Sequence, residues 1–280
     1  MCGTLYARRH RRGRPTNVRD WELLGAPNAR DLGGLPTTDG RRVRVGRLIR
    51  TPALGRLTED DLTVLGRLAP ACVVDLRDDS ETAVAPPNRL VGDPYLVRLP
   101  VLDPAHPGFT YLSAVLHGRD LAGYDDQARR GAAAAMATVY RWFVTGAAAR
   151  EGFARAVRLA ADPANLPLLF HCSAGKDRTG WLAVVLLTAL GVDEETVRAD
   201  YLRHNELTVE LREAMSAAML RRRPELDPET ARAVLEVRPE YLDAGYDEAR
   251  RVYGSFDAYL ADGLGMTAAL RTALRTHLLD

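Results

Sequence analysis

Cys172 and Arg178 stand in C-x5-R spacing inside the string HCSAGKDRT (171–179), between an apolar run at 166–171 and an apolar helical pattern from 177 onward. A turn joining a strand end to a helix N-terminus can aim its backbone N–H groups inward, and the helix dipole adds positive potential. The amides of Ser173, Ala174, Gly175, Lys176, Asp177 and Arg178 would then cradle a tetrahedral oxyanion. Arg178 can bind two of its oxygens with a planar fork, which an ammonium cannot do. The same field stabilises a thiolate at Cys172, because cysteines beside cations at helix N-termini titrate at roughly 3.5 to 7.5. The chemistry implied is nucleophilic displacement at phosphorus. Thr179 can hydrogen-bond the sulfur, His171 can orient the loop, and Gly175 permits an unusual backbone angle. C-x5-R alone is a weak motif in an arginine-rich chain. Joined to His171, Gly175, Thr179, a preceding strand and a following helix, it becomes specific.

Elements able to hold this loop are legible on both sides of it. Runs at 42–51, 72–76, 95–101 and 166–171 predict strands. A helix is expected in TEDDLTVLGRL, opened by a Thr58/Asp61 capping box. Helical patterns follow at 177–190, 194–203, 207–222, 228–237, 240–253 and 255–279. The pattern predicts an α/β fold, a mainly parallel sheet flanked by helices with a helix-rich C-terminal third. Residues 21–280 read as one domain and 1–20 as a basic tail carrying Arg8, Arg9, Arg11, Arg12 and Arg14, without the apolar segment of a signal peptide. The 280 residues carry 38 basic and 37 acidic groups, a net charge of +1, which predicts no general attraction to nucleic acid or an acidic membrane. The most apolar stretch, 181–190, is too short for a membrane span, so no stable membrane insertion is expected. Three cysteines without metal-ligand spacing predict no disulfide framework, no metal, no cofactor and a cytoplasmic location, with export by another route left open. Cys72 reads as a core residue, with a resolving thiol for oxidised Cys172 as the alternative. Lys176 is the single lysine among the 38 basic residues.

The signature HC-x5-R-[ST], matched by His171, Cys172, Arg178 and Thr179, resembles the cysteine-dependent protein tyrosine phosphatase superfamily. The wider string HCSAGKDRTG, with NARDLGG (28–34), GRLIRT (46–51), VVDLR (73–77) and ADYLRHN (199–205), is similar to an actinobacterial group within it. The resemblance covers roughly residues 21–280. It implies hydrolysis of phosphate monoesters through a cysteinyl-phosphate, most simply on phosphotyrosine, with phosphoserine, phosphothreonine or phosphoinositides as further substrates. Alternatives are the same chemistry on a small phosphorylated nucleoside or sugar, or a noncatalytic phosphate-binding module. The superfamily's mobile WPD tripeptide is absent, so three aspartates compete as general acid: Asp177 first, Asp75 second, Asp103 third, each with a capping or ion-pairing role as its alternative. By the same resemblance Asn28, Arg30 and Asp31 support the cradle, whereas by composition alone they read as turn residues before Gly33 and Gly34. Lys176 either favours substrates with several phosphates or pairs with a carboxylate such as Asp75. Residues 206–237, with Met215, Met219 and Leu220 as an apolar face, form either a helical lid or a pair packed on the core.

Overall fold

Five short strands, β1 (Arg30–Asp31), β2 (Leu48–Thr51), β3 (Cys72–Asp75), β4 (Tyr95–Arg98) and β5 (Leu168–His171), form one sheet in the spatial order β1-β2-β5-β3-β4. The computed structural model describes residues 21–280, so the expected basic tail lies outside the described residues. Strands β2, β5, β3 and β4 run parallel, and β1 closes one edge antiparallel. Every residue of β2, β3 and β5 is buried, whereas three of the four residues of β4 are exposed, as befits an edge. Side chains alternate between faces: Ile49, Val73 and Leu169 pack with Leu54, Leu57 and Leu65, while Leu48, Val74, Leu168 and Phe170 join the larger core on the other side.

Helices α1 (Glu59–Leu68) and α2 (Asp79–Val84) follow β2 and β3, each opened by a capping box, Thr58 with Asp61 and Asp78 with Glu81. Between β4 and β5 lie α3 (Pro107–His117), α4 (Asp125–Arg130), α5 (Ala132–Thr145) and α6 (Ala147–Ala161). Beyond β5 come α7 (Asp177–Leu190), α8 (Glu194–Leu207), α9 (Val209–Arg222), α10 (Pro228–Leu235), α11 (Pro239–Tyr253), α12 (Phe256–Ala258) and α13 (Ala268–Leu278). Eleven residues of α7 are buried, so it is embedded on all sides and its N-terminus is fixed beneath the strand ends.

Three expectations need correction. The strand at 42–51 shrinks to β2, because Gly46 turns at φ +74° and Val43 makes only an isolated bridge to Leu279. The helix at 255–279 is interrupted by a π-turn at Tyr259–Gly263 and by Gly265 at φ +65°, and Thr267 caps a fresh start. Helices α3 to α6 fill a span to which the sequence reading assigned no element. Of these, α5 and α6 are alanine-rich, yet α5 buries Met136, Val139, Tyr140 and Phe143 against the core. In the expected lid region, α10 buries Ala231, Ala233, Val234 and Leu235, while α9 has no buried residue and Met215 is exposed. No helix among the described residues is long and apolar enough to cross a membrane.

Candidate active site

The loop of residues 172–178 leaves the C-terminal end of β5, at the centre of the sheet, and runs straight into α7. Crevices beyond the carboxyl ends of parallel strands are where ligands gather in α/β sheets. Cys172 lies at the floor, 2% exposed, beneath exposed Ser173 and Ala174. Gly175 holds φ +62°, and a Cβ there would stand 2.6 Å from Pro52 N and 2.7 Å from Thr51 C, so only glycine fits.

The loop's carbonyls are turned outward and held. Ala53 N–H donates to Ser173 O at 3.1 Å and Gly180 N–H to Lys176 O at 2.7 Å. Gly175 O accepts from Asn28 Nδ2 at 2.8 Å and from Arg50 Nη2 at 3.1 Å. The N–H groups of residues 173–178 find no acceptor among the described residues, which is the condition of an anion-binding nest opening a helix.

A buried ionic web braces the loop from below. Arg30 donates to Asn28 Oδ1 at 2.5 Å and to both Asp200 oxygens at 3.2 Å, and Arg50 Nη1 reaches Asp200 Oδ2 at 3.0 Å. Asn28 thus reaches the loop directly through Gly175 O, and Arg30 reaches it through Asn28. Asp31 does not: its carboxylate accepts from Gly33 N at 2.7 Å and Gly46 N at 2.5 Å, organising turns at the sheet edge. Arg50 and Asp200 went unnoticed in the sequence, although the ADYLRHN string had flagged the neighbourhood of Asp200.

His171 is fully buried, and burial first, opposed by the Asp75 charge, keeps its pKa below the usual value, so the ring is neutral. Its Nδ1 lies 3.1 Å from Cys172 O, which can only accept, so Nδ1 carries the proton. Its Nε2 then accepts from Asn88 Nδ2 at 3.1 Å. Asn88 also donates to Asp75 Oδ2 at 3.2 Å and accepts from Arg77 Nη2 at 3.1 Å. Asp75 is 2% exposed and gripped by Arg77 through Nε at 2.9 Å and Nη2 at 2.7 Å. Burial pushes its pKa up, but the hydrogen bonds and charge of Arg77 outweigh this and lower it. An ionised carboxylate saturated with donors is poorly suited to giving a proton, which corrects the expectation for Asp75.

Asp177 opens α7, partly exposed. Tyr140 donates to its Oδ1 at 3.0 Å, and Tyr201 donates to Tyr140 at 2.8 Å. Both phenols are fully buried, which raises their pKa values well above the usual range and keeps them as donors. Lys176 is 4% exposed and spends its ammonium on Val234 O at 2.6 Å and Glu236 O at 3.2 Å, with Asp177 Oδ2 at 3.5 Å. It ties the loop to the end of α10. The several-phosphate reading of Lys176 is therefore corrected, since its ammonium is spent inside the protein, and the carboxylate it meets is Asp177 rather than Asp75. Asp103 accepts from Ala105 N at 2.9 Å and closes the turn before α3. Thr179 Oγ1 is buried without a hydrogen bond among the described residues, so the expected bond to the sulfur is not formed. Cys72 pairs with Leu168, four residues before Cys172, hence roughly 13 Å away along the strands, too far for a resolving thiol.

Arg178 Nη1 and Nη2 donate to Glu81 Oε2 and Oε1 at 2.5 and 2.6 Å, and Ser173 Oγ donates to Glu81 Oε1 at 2.6 Å. Burial would push the Glu81 carboxyl up, but the Arg178 bonds and charge and the Ser173 hydroxyl hold it at about 2. Glu81 was missed in the sequence. Its only signal was its place four residues after Arg77 in a short capped helix. No group of three or more potential metal ligands occurs among the described residues.

A central strand, a nest of free amides, a buried cysteine and an arginine on the next helix make up a tyrosine-phosphatase-like candidate site. Residues 21–280 match the sequence profile described as "Tyrosine phosphatase family", and the chain belongs to that family as a protein-tyrosine-phosphatase-like hydrolase. It is 34% identical over 278 residues to the triple specificity protein phosphatase PtpB of Mycobacterium tuberculosis, covering 92% of this chain and 98% of that protein. It is also 37% identical over 253 residues to the Cupriavidus necator protein H16_A0669, named for tyrosine-protein phosphatase activity, covering 90% of this chain and 85% of the other. The crystal structure of TpbA from P. aeruginosa aligns over 70% of this chain and 89% of its own, at 18% identity and a TM-score of 0.28.

Proposed function

We propose that this phosphatase hydrolyses phosphate monoesters through a cysteinyl-phosphate, with phosphotyrosine as its main substrate and phosphoserine, phosphothreonine and phosphoinositides as further ones. The observation that carries the reading is the set of unused amides at 173–178, opposed by outward-held carbonyls, above Cys172. The "triple specificity" in the name of the mycobacterial relative supports the breadth of substrates.

In the first step Cys172 Sγ attacks phosphorus in line. The S–P bond forms as the P–O bond to the alcohol breaks, and the leaving oxygen takes a proton from Asp177. The amides and Arg178 bear the charge of the equatorial oxygens. In the second step water attacks the phosphocysteine, gives its proton back to Asp177, and releases phosphate and the thiolate. Asp177 is chosen because its carboxylate sits at the loop's edge, partly open to solvent, whereas Asp75 is sealed. Such a thiolate suits a reducing, cytoplasmic environment.

The test is a substrate panel of phosphotyrosine, phosphoserine and phosphothreonine peptides, phosphoinositides, and nucleotide and sugar phosphates, run beside Cys172→Ser. Phosphotyrosine peptide should lead the panel, and Cys172→Ser should lose essentially all turnover. Undiminished hydrolysis by Cys172→Ser would exclude the covalent route. Preference for a nucleotide or sugar phosphate would move the substrate to small molecules.

A further inference from the structure

Glu81 does more than neutralise Arg178. Guanidinium has five N–H donors. Nη1 gives one to Glu81 Oε2 and one to Leu76 O at 3.2 Å, and Nη2 gives one to Glu81 Oε1. The Nε–H and the second Nη2–H remain. They lie parallel on one edge, with no acceptor among the described residues, and this edge is the fork that two phosphate oxygens require. Apart from Glu81, the Leu76 carbonyl is the one described group that hydrogen-bonds the guanidinium.

The same carboxylate belongs to the start of α2. Asp78 N–H donates to Glu81 Oε2 at 3.1 Å, and Glu81 N–H donates to Asp78 Oδ1 at 2.8 Å. Helix α2 has six residues, none of them buried, and Val84 is 81% exposed. Such a short helix has no apolar face to hold it, so its capping box and the grip of Glu81 on the loop support each other. Through Ser173 and Arg178, Glu81 joins the first and last residues of the phosphate nest.

We infer that Glu81 is a positioning residue that presents the Nε/Nη2 edge of Arg178 to the phosphate, and that the Asp78 cap of α2 sets how firmly it does so. The inference rests on the reading of Arg178 as a phosphate ligand. It makes a half-buried helix cap, remote from the nucleophile in sequence, a control point for turnover.

The experiment uses the full chain with para-nitrophenyl phosphate, and orthovanadate as the probe of oxyanion affinity. Glu81→Gln keeps the side-chain shape and should lower kcat by roughly 30- to 300-fold while changing KM by less than about threefold, because a misaimed donor is felt mostly in the transition state. Vanadate inhibition should weaken by a similar factor. Asp78→Ala should lower kcat by about 3- to 10-fold in the native background and not at all on top of Glu81→Gln. The Glu81→Gln loss should also shrink to near unity on top of Arg178→Lys. A Glu81→Gln enzyme within threefold of the native kcat overturns the inference, as does an undiminished Glu81 effect in the Arg178→Lys background. Should Glu81→Gln melt below the assay temperature, Asp78→Ala decides by the same comparison of kcat, KM and vanadate affinity. An Arg178→Lys enzyme with native kcat would defeat the proposed function instead, so the two failures are distinguishable.

Discussion

Replacing Gly175 by alanine tests the cradle at its tightest point. The residue holds φ +62°, where an L side chain costs roughly 1 to 2 kcal/mol. The added Cβ would lie 2.6 Å from Pro52 N, and real Cβ contacts begin near 3.0 Å, so the loop and the end of β2 must part by at least 3.0 minus 2.6, or 0.4 Å. Both neighbours are backbone, and Gly175 O is pinned by Asn28 and Arg50, so the strain has no flexible side chain to absorb it. Overpacking of this kind adds about 1 to 3 kcal/mol, for a total near 2 to 5 kcal/mol. A displacement approaching 1 Å in a catalytic loop costs about 100-fold in rate. Urea denaturation followed by circular dichroism and steady-state hydrolysis of para-nitrophenyl phosphate read the two effects. Gly254→Ala is the control: φ is +87°, but nothing lies within 4 Å of its Cβ, so it should lose about 1 to 2 kcal/mol and keep its kcat/KM. The steric reasoning fails if Gly175→Ala stays within 0.5 kcal/mol and threefold of the native enzyme, or if Gly254→Ala is equally damaged in turnover.

Two further outcomes follow from the buried polar groups. His171 and His204 are both held neutral, His204 by burial and then by the charges of Lys176, Arg30, Arg50 and Arg212, so both native pKa values lie below the usual value near 6.5. Their contribution to stability is complete above 6.5 and is lost as pH falls through the window between the unfolded and native values, by up to about 1.4 kcal/mol per pH unit for each. Denaturation midpoints should thus decline between pH 7 and 5, and a flat profile there would refute the assignment. Tyr140→Phe removes the donor to Asp177 and orphans the Tyr201 hydroxyl, at about 1.5 to 3 kcal/mol of stability. If Asp177 delivers the proton, Tyr140→Phe and Asp177→Asn should both lose rate mainly on poor leaving groups such as phosphoserine peptide. Equal losses on para-nitrophenyl phosphate would remove Asp177 from that role.

By itself the chain order determined the loop and the class of fold. Cys172, Gly175 and Arg178 are neighbours in sequence, and the nest is a property of one strand, one turn and one helix start, so local physics suffices to expect it. Short, largely apolar runs likewise announced β2, β3 and β5, because a strand buried on both faces must be mostly apolar. Only the tertiary structure decided which charges meet. Glu81 comes to Arg178 across 97 residues, Asp200 to Arg50 across 150, and Asn28 to Gly175 across 147. Lys176, adjacent to the nucleophile region in sequence, turns instead to the end of α10, and Asn88, 13 residues on, joins the sequence neighbour Arg77 on the Asp75 carboxylate. A carboxylate's partner depends on which side chain the packing brings within about 3 Å. That pairing is set by long-range burial of neighbouring apolar faces, which no local pattern of residues encodes.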